Sequence, residues 1–234
     1  MLIHGGLVDR RLWDEQVVAL SGDHRVIRYD LRGLGRSSMP EGPFSHLDDL
    51  DRLLDALAVD RGVLVGLSLG GMVAMDYALE HPARVRALVL AAPGLRGYEW
   101  APNPAIEEAY ALLSTDPEHG IALLLETGMG GATAASQALL RRMVTDNLRG
   151  WSQADAEKMR WPSPPTLERL GEILVPALVL VGTLDEPALW EIANTIATTV
   201  PNASLMTIRG AKHHLNLDRP SEFTSELQSF LENI

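Results

Sequence analysis

The sequence predicts an α/β fold, a mostly parallel sheet of about six strands flanked by helices and interrupted by one helical insertion. Three observations predict it. Short apolar, β-branched runs alternate with segments of helical spacing in both the first and the last part of the chain. Gly62 to Gly71 reads as strand, tight turn around one serine, and helix start. Between Pro93 and Val175 the alternation stops, and only helical patterns and turn signals remain. The expected organisation is therefore a core of residues 1–92 and 176–234, with residues 93–175 as a helical cap.

In chain order, Met1-Leu2-Ile3 reads as a strand end running into the Gly-rich loop His4-Gly5-Gly6. Leu12, Trp13, Val17, Val18 and Leu20 place a helix over residues 9–20. Arg25 to Tyr29 reads as a strand, followed by a polar loop with Gly33 and Gly35. Leu47, Leu50, Leu53, Leu54 and Leu57 recur at three- and four-residue steps, which makes an amphipathic helix. Val63 to Val65 is a buried strand, the following helix ends near His81-Pro82, and Val85 to Ala91 is the next strand. Short helices are expected over 105–113, 119–126, 134–148 and 153–159, punctuated by Asp116-Pro117, Gly128 to Gly131 and Pro162 to Pro165. Pro176 to Val181 is a strand, Trp190 to Val200 a helix, Ser204 to Ile208 a strand and Ser221 to Leu231 a helix. Strands joined by helices imply right-handed parallel crossovers.

The spacing Gly66-x-Ser68-x-Gly70 at a strand-to-helix turn is a nucleophile elbow. A serine on so sharp a turn is strained and presents its hydroxyl to solvent, and glycines are required where a Cβ would strike the neighbouring strand or helix. The Leu69 N–H opens the helix and points to where an oxyanion can form. A plain Gly-rich turn with a buried serine is the alternative for these five residues taken alone.

Composition removes several function classes. Twenty basic against 31 acidic residues give a net charge of −11. That argues against nucleic-acid or anionic-membrane partners, which demand basic patches. There is no cysteine, so disulfides, thiol nucleophiles and thiolate metal sites are excluded. The N-terminus lacks a signal-peptide pattern and no apolar run is long enough to span a bilayer. A cytoplasmic location is expected. His213-His214 is not expected to bind a metal, since adjacent rings seldom reach one ion and no further ligands cluster nearby; no cofactor is expected either.

A serine nucleophile needs a base and an acid that orients the base. Site residues in such sheets lie beyond the carboxyl ends of the strands. Asp185 follows one strand end and His213 another, so both belong on the rim that carries Ser68, in the chain order Ser, Asp, His. Glu186 and His214 are their neighbours and rivals. His24, His46, His81 and His119 read as surface residues. The Gly6 N–H is the candidate for the second oxyanion donor, and His4 is expected to brace its loop rather than do chemistry. Trp100, Leu124, Met129, Met143, Trp151 and Trp161 are candidates for lining a pocket under the insertion, with ordinary core packing the favoured alternative for each; Trp190 is expected near Asp185.

Taken together, these pieces resemble the α/β-hydrolase fold superfamily, and within it the small serine hydrolases of the esterase and 3-oxoadipate enol-lactonase-like branch. The resemblance rests on His4-Gly5-Gly6 with Trp13, on Tyr29 to Ser37, on Val65 to Gly71, on His81-Pro82 through Leu90, on Pro176 to Asp185, and on Gly210 to His213 with Asn216 to Pro220 and Phe223. It covers the chain except the helical insertion. It implies a hydrolase using Ser68, Asp185 and His213, and it favours His213 over His214 because the catalytic histidine is the first after the Gly-Ala-x step. Serine at the elbow argues against the haloalkane dehalogenases and epoxide hydrolases, which carry aspartate there. A small carboxylic ester or lactone is the implied substrate. C–C bond hydrolysis, cofactor-free haloperoxidase or perhydrolase chemistry, and a non-catalytic ligand-binding role are the alternatives. The oligomeric state is left open, a homodimer included. Two strands usually precede the His-Gly-Gly segment in such proteins. Their absence here leads us to expect Val26–Tyr29 at the sheet edge, an oxyanion loop hanging from a frayed, charged terminus, and a chain less stable and less active than an extended form.

Overall fold

The computed structural model describes residues 1–148 and 157–234. Five strands, β1 (Leu2–Ile3), β2 (Gly62–Leu67), β3 (Val85–Ala91), β4 (Ala177–Gly182) and β5 (Ala203–Ile208), form one sheet in the order β1-β2-β3-β4-β5. Every pairing is parallel. The expected strand over Arg25–Tyr29 shrinks to a single bridge between Leu2 and Arg28, with Ile27 C=O accepting from Leu2 N–H. Its only neighbour, β1, is two residues long and supplies too few backbone partners for a ladder. The strip does lie at the sheet edge. The terminus beside it is not frayed: Leu2 and Ile3 pair with Val65 and Gly66, and the Met1 ammonium donates to Val63 C=O.

Side chains alternate across the sheet and define its two packed faces. Val65, Leu67, Val89, Ala91, Leu178 and Leu180 share one cluster with Trp13, Phe223 and Leu227. Leu64, Leu88, Leu90, Val179 and Val181 face the other, with Leu50, Leu54, Val73, Met75 and Ile192. Helices α1 (Asp14–Leu20), α2 (His46–Ala56) and α3 (Leu69–Glu80) come from the first part of the chain. The helix expected over 9–20 is divided, because the Asp9 side chain caps a 3-10 turn at Arg10–Trp13 before α1 begins.

Between β3 and β4 the described residues contain only helices of any length: α4 (Pro104–Leu112), α5 (Pro117–Glu126), α6 (Ala134–Asn147) and the short α7 (Thr166–Arg169). Each of the first three starts at a side-chain cap, Asn103, Asp116 and Thr133 respectively, which satisfies orphan N–H groups of the first turn. Of the helix expected over 153–159, residues 153–156 lie outside the described residues; Met159 makes a bridge to Phe44. Helices α8 (Pro187–Thr199), α9 (Leu215–Asp218) and α10 (Pro220–Glu232) complete the chain. No helix among the described residues is long and apolar enough to cross a membrane.

Candidate active site

Ser68 sits between β2 and α3 with φ 53° and ψ −113°, a conformation that strains an L-residue. The turn is held by its own backbone. Ser68 N–H donates to Ala91 C=O, and Ser68 C=O accepts from Gly71, Met72 and Gly94. The two flanking glycines are there because of close approach. A Cβ on Gly66 would lie 2.2 Å from Gly70 C=O, and one on Gly70 would lie 2.2 Å from Ile3 C=O. No larger residue fits either position without moving β1 or α3. Ser68 is half-buried, so the hydroxyl stands at a surface rather than in core.

Asp185 and His213 are brought together by the loops that follow β4 and β5. Thr183 N–H donates to Ile208 C=O, Leu184 N–H to Ala211 C=O, and Gly210 N–H to the Thr183 hydroxyl. These bonds stitch one loop to the other and set the Asp185 Oδ1 to His213 Nδ1 distance at 3.7 Å. Both side chains are buried, at 1% and 7% exposure, and His213 Nδ1 and Asp185 Oδ2 have no partner. At that distance the pair is an ion-pair contact when His213 is protonated, and about 1 Å of closure turns it into a hydrogen bond. No hydrogen bond joins Ser68 to His213 among the described residues.

The His4-Gly5-Gly6 loop adjoins the serine. A Cβ on Gly5 would come 3.3 Å from Ser68 Cβ, whereas one on Gly6 would meet nothing within 4 Å. The space that a Gly6 side chain would enter is thus open, and Leu69 is the first residue of α3. His4 braces the loop from within: it is wholly buried, its Nε2 accepts from Leu31 N–H, and its Nδ1 lies 2.7 Å from Gly5 C=O. An Nδ1–H tautomer satisfies both bonds. Burial lowers the His4 pKa, which keeps the ring neutral in that role.

The rivals are placed differently. Glu186 turns its carboxylate toward Gly128, where an added Cβ would strike Oε1 at 2.2 Å. Burial, and then the charge of Asp185, raise the Glu186 pKa. His214 is buried edge-on to His213, with ring centroids 5.2 Å apart. Burial, and then His213, lower its pKa well below the ordinary value, so it is a neutral wall beside His213. His46, expected at the surface, is instead 2% exposed. It packs edge-on to Phe44 at 5.1 Å and near Trp161 at 6.4 Å.

Of the pocket candidates, Leu124 and Met143 are core, Trp100 is exposed against Tyr98, and Met129 is half-buried. Trp161 covers the Arg96 guanidinium at 5.3 Å, and Trp190 packs at the edge of the second core cluster. Trp151 lies outside the described residues. No group of three or more His, Asp or Glu among the described residues could hold a metal ion.

Two polar residues at this rim carried no role in the sequence reading. Asp218 accepts three bonds, from Ala132 N–H at 2.7 Å, Ser136 Oγ at 2.6 Å and Lys212 N–H at 2.9 Å. Asn147 donates to Asp9 Oδ2 at 2.9 Å and accepts from Gly35 N–H at 2.6 Å. Asp218 stands in the Asn216–Pro220 run, but a sequence pattern alone does not say which backbone groups it meets.

Known proteins resemble this architecture along its whole length. The chain is 27% identical over 241 residues to a protein provisionally named carbamate hydrolase RutD from Azorhizobium caulinodans, covering 95% of this chain and 86% of that one. It is 29% identical over 248 residues to the pimeloyl-(acyl-carrier protein) methyl ester esterase of Pectobacterium atrosepticum, covering 99% and 93%. The solved enol-lactonase of Burkholderia xenovorans superposes with a TM-score of 0.80 at 28% identity, covering 99% and 90%. The alpha/beta hydrolase family model matches residues 1–227. By that match and by its fold, the chain belongs to the alpha/beta hydrolase family.

Proposed function

We propose that the chain hydrolyses a small carboxylic ester or lactone through an acyl-enzyme on Ser68. The observation that carries this reading is the strained Ser68 at the head of α3, with the Asp185–His213 pair on the same rim. The esterase and the enol-lactonase among its relatives supply the substrate class.

Ser68 Oγ attacks the carbonyl carbon while His213 Nε2 takes the hydroxyl proton. The positive charge on the imidazolium draws Nδ1–H toward Asp185, closing the 3.7 Å gap as the transition state forms. The N–H groups of Gly6 and Leu69 hold the oxyanion, each worth on the order of 10² to 10³ in turnover. His213 returns the proton to the leaving oxygen, and a water deprotonated by His213 releases the acid. Helices α4 to α6 act as the cap over this rim, and their side chains choose the substrate.

Hydrolysis of p-nitrophenyl butyrate tests the reading. Ser68→Ala is expected to lower kcat by roughly 10³-fold or more, and a fluorophosphonate should label the wild type once per chain. Turnover unchanged in Ser68→Ala overturns it. Well-folded protein that neither turns over ester nor labels marks the chain as a non-catalytic member of the family.

A further inference from the structure

Helix α6 touches the rim at both of its ends, and each contact is buried and polar. At its start, Asp218 is 3% exposed and Ser136 is equally covered. One Asp218 oxygen takes Ala132 N–H and the Ser136 hydroxyl, while the other takes the N–H of Lys212, the residue before His213. At its end, Asn147 is wholly buried. Its Nδ2 donates to Asp9 and to Met143 C=O, and its Oδ1 accepts from Gly35. A flipped amide would set oxygen against the Asp9 carboxylate, so the orientation is determined by its partners. Asp9 also takes Arg11 N–H and caps the turn that follows the Gly5–Gly6 loop. The helix between these ends has 14 residues, about 21 Å of stiff rod.

We propose that α6 is a strut that fixes the His213 loop relative to the Gly6 loop, with Asp218 and Asn147 as the positioning residues that fasten its two ends. The catalytic part of this inference rests on the hydrolase reading above; the mechanical part does not. Fastening requires that no buried polar atom at either end be left without a partner, because an incomplete buried network is costly and loose. Asp218 uses both oxygens and Asn147 uses both sides of its amide. Releasing the polar contacts at one end leaves that end held by the apolar packing of Leu140, Met143 and Val144 and, at the C-terminal end, by the Arg11–Asp146 pair, which fix it less tightly, so the distant loop loses its reference.

Amide hydrogen exchange on the whole chain tests the mechanical part. Asp218→Asn should raise exchange at Lys212 and also at Gly35 and residues 5–9, at the far end of α6. Asn147→Ala should raise it at Gly35 and also at Lys212. Faster exchange confined to the end that was changed overturns the strut. Kinetics test its consequence, read well below each variant's Tm. Each single variant should lose roughly 10- to 100-fold in kcat, with KM shifted by less than about threefold and the loss in the double variant no greater than in the worse single. Losses that multiply, or kcat unchanged per folded molecule, mean that the two residues only stabilise the fold. Where Asp218→Asn fails to fold, Ser136→Ala removes one donor and should still raise exchange at residues 5–9; no change there overturns the proposal. A wild type without turnover beyond Ser68→Ala, but with the coupled exchange, sinks the hydrolase reading and leaves the strut standing.

Discussion

In the proposed mechanism Asp185 acts through His213 alone. Its Oδ1 accepts the Glu186 N–H at 3.0 Å and lies 3.7 Å from His213, while Oδ2 is unpartnered. In the proposed mechanism the imidazolium formed during turnover adds a nearby positive charge to the one N–H bond that this buried carboxylate already accepts. Asp185→Asn should therefore keep the fold and lose roughly 10³- to 10⁴-fold in kcat, measured on p-nitrophenyl butyrate beside a thermal melt. Retained turnover would shift the acid to Glu186. The sequence offers Ser68, Asp185 and His213 as candidates because their residue types and their places after strands are physically linked, and the structure brings Asp185 and His213 to 3.7 Å. Asp218 and Asn147 were not legible in the sequence. Apart from Lys212 and Met143, their partners stand 82 to 138 positions away, and several of those partners are backbone N–H groups that every residue possesses.

Elements were legible where a single face repeats and blurred where neighbours decide. The leucines of α2 announce a helix, and its observed span, His46–Ala56, matches the Leu47 to Leu57 pattern to within one residue at each end. Val26 to Tyr29 has the composition of a strand, yet a strand exists only through its partner, and β1 offers too little. The glycines of the serine turn give the sharpest element-scale prediction. Gly70→Ala forces a Cβ onto Ile3 C=O, so β1 or α3 must shift at a cost of about 1 to 3 kcal/mol. The expected fall in Tm is roughly 2–12 °C. Gly6→Ala, where the added carbon meets open space, should leave Tm within about 2 °C. A differential scan of the two variants checks both, and equal Tm values would refute the crowding argument.

At the scale of the whole molecule, three neutral buried histidines make the fold acid-sensitive. His4, His46 and His214 all have lowered pKa values, each chiefly through burial, with His46 brought down to about 4. Between the lowered value and the ordinary 6.5 the unfolded chain binds more protons than the folded one. Stability therefore rises with pH across that window and is lost as pH falls through it. His46 alone contributes a loss of about 2 kcal/mol between pH 7 and pH 5. Urea melts at the two values should show at least that difference in the wild type, and about 2 kcal/mol less of it in His46→Phe. A pH difference untouched by the substitution would place the sensitivity elsewhere.

The sheet order has a kinetic side. Adjacent strands β4 and β5 pair across roughly 26 residues, but β3 and β4 pair across roughly 90, because the helical segment lies between Leu88 and its partner Ala177. Closing the longer loop costs about 1 kcal/mol more in chain entropy. The two halves of the sheet therefore have reason to assemble separately, β1 to β3 with their helices and β4 with β5, before they dock along the β3–β4 seam. Helices α4 to α6 lie in that connection, and their own local order shortens the effective loop. Folding that is slow at this one junction would leave the edges of β3 and β4 open longest, and these are the edges on which newly made chains would join one another instead of themselves.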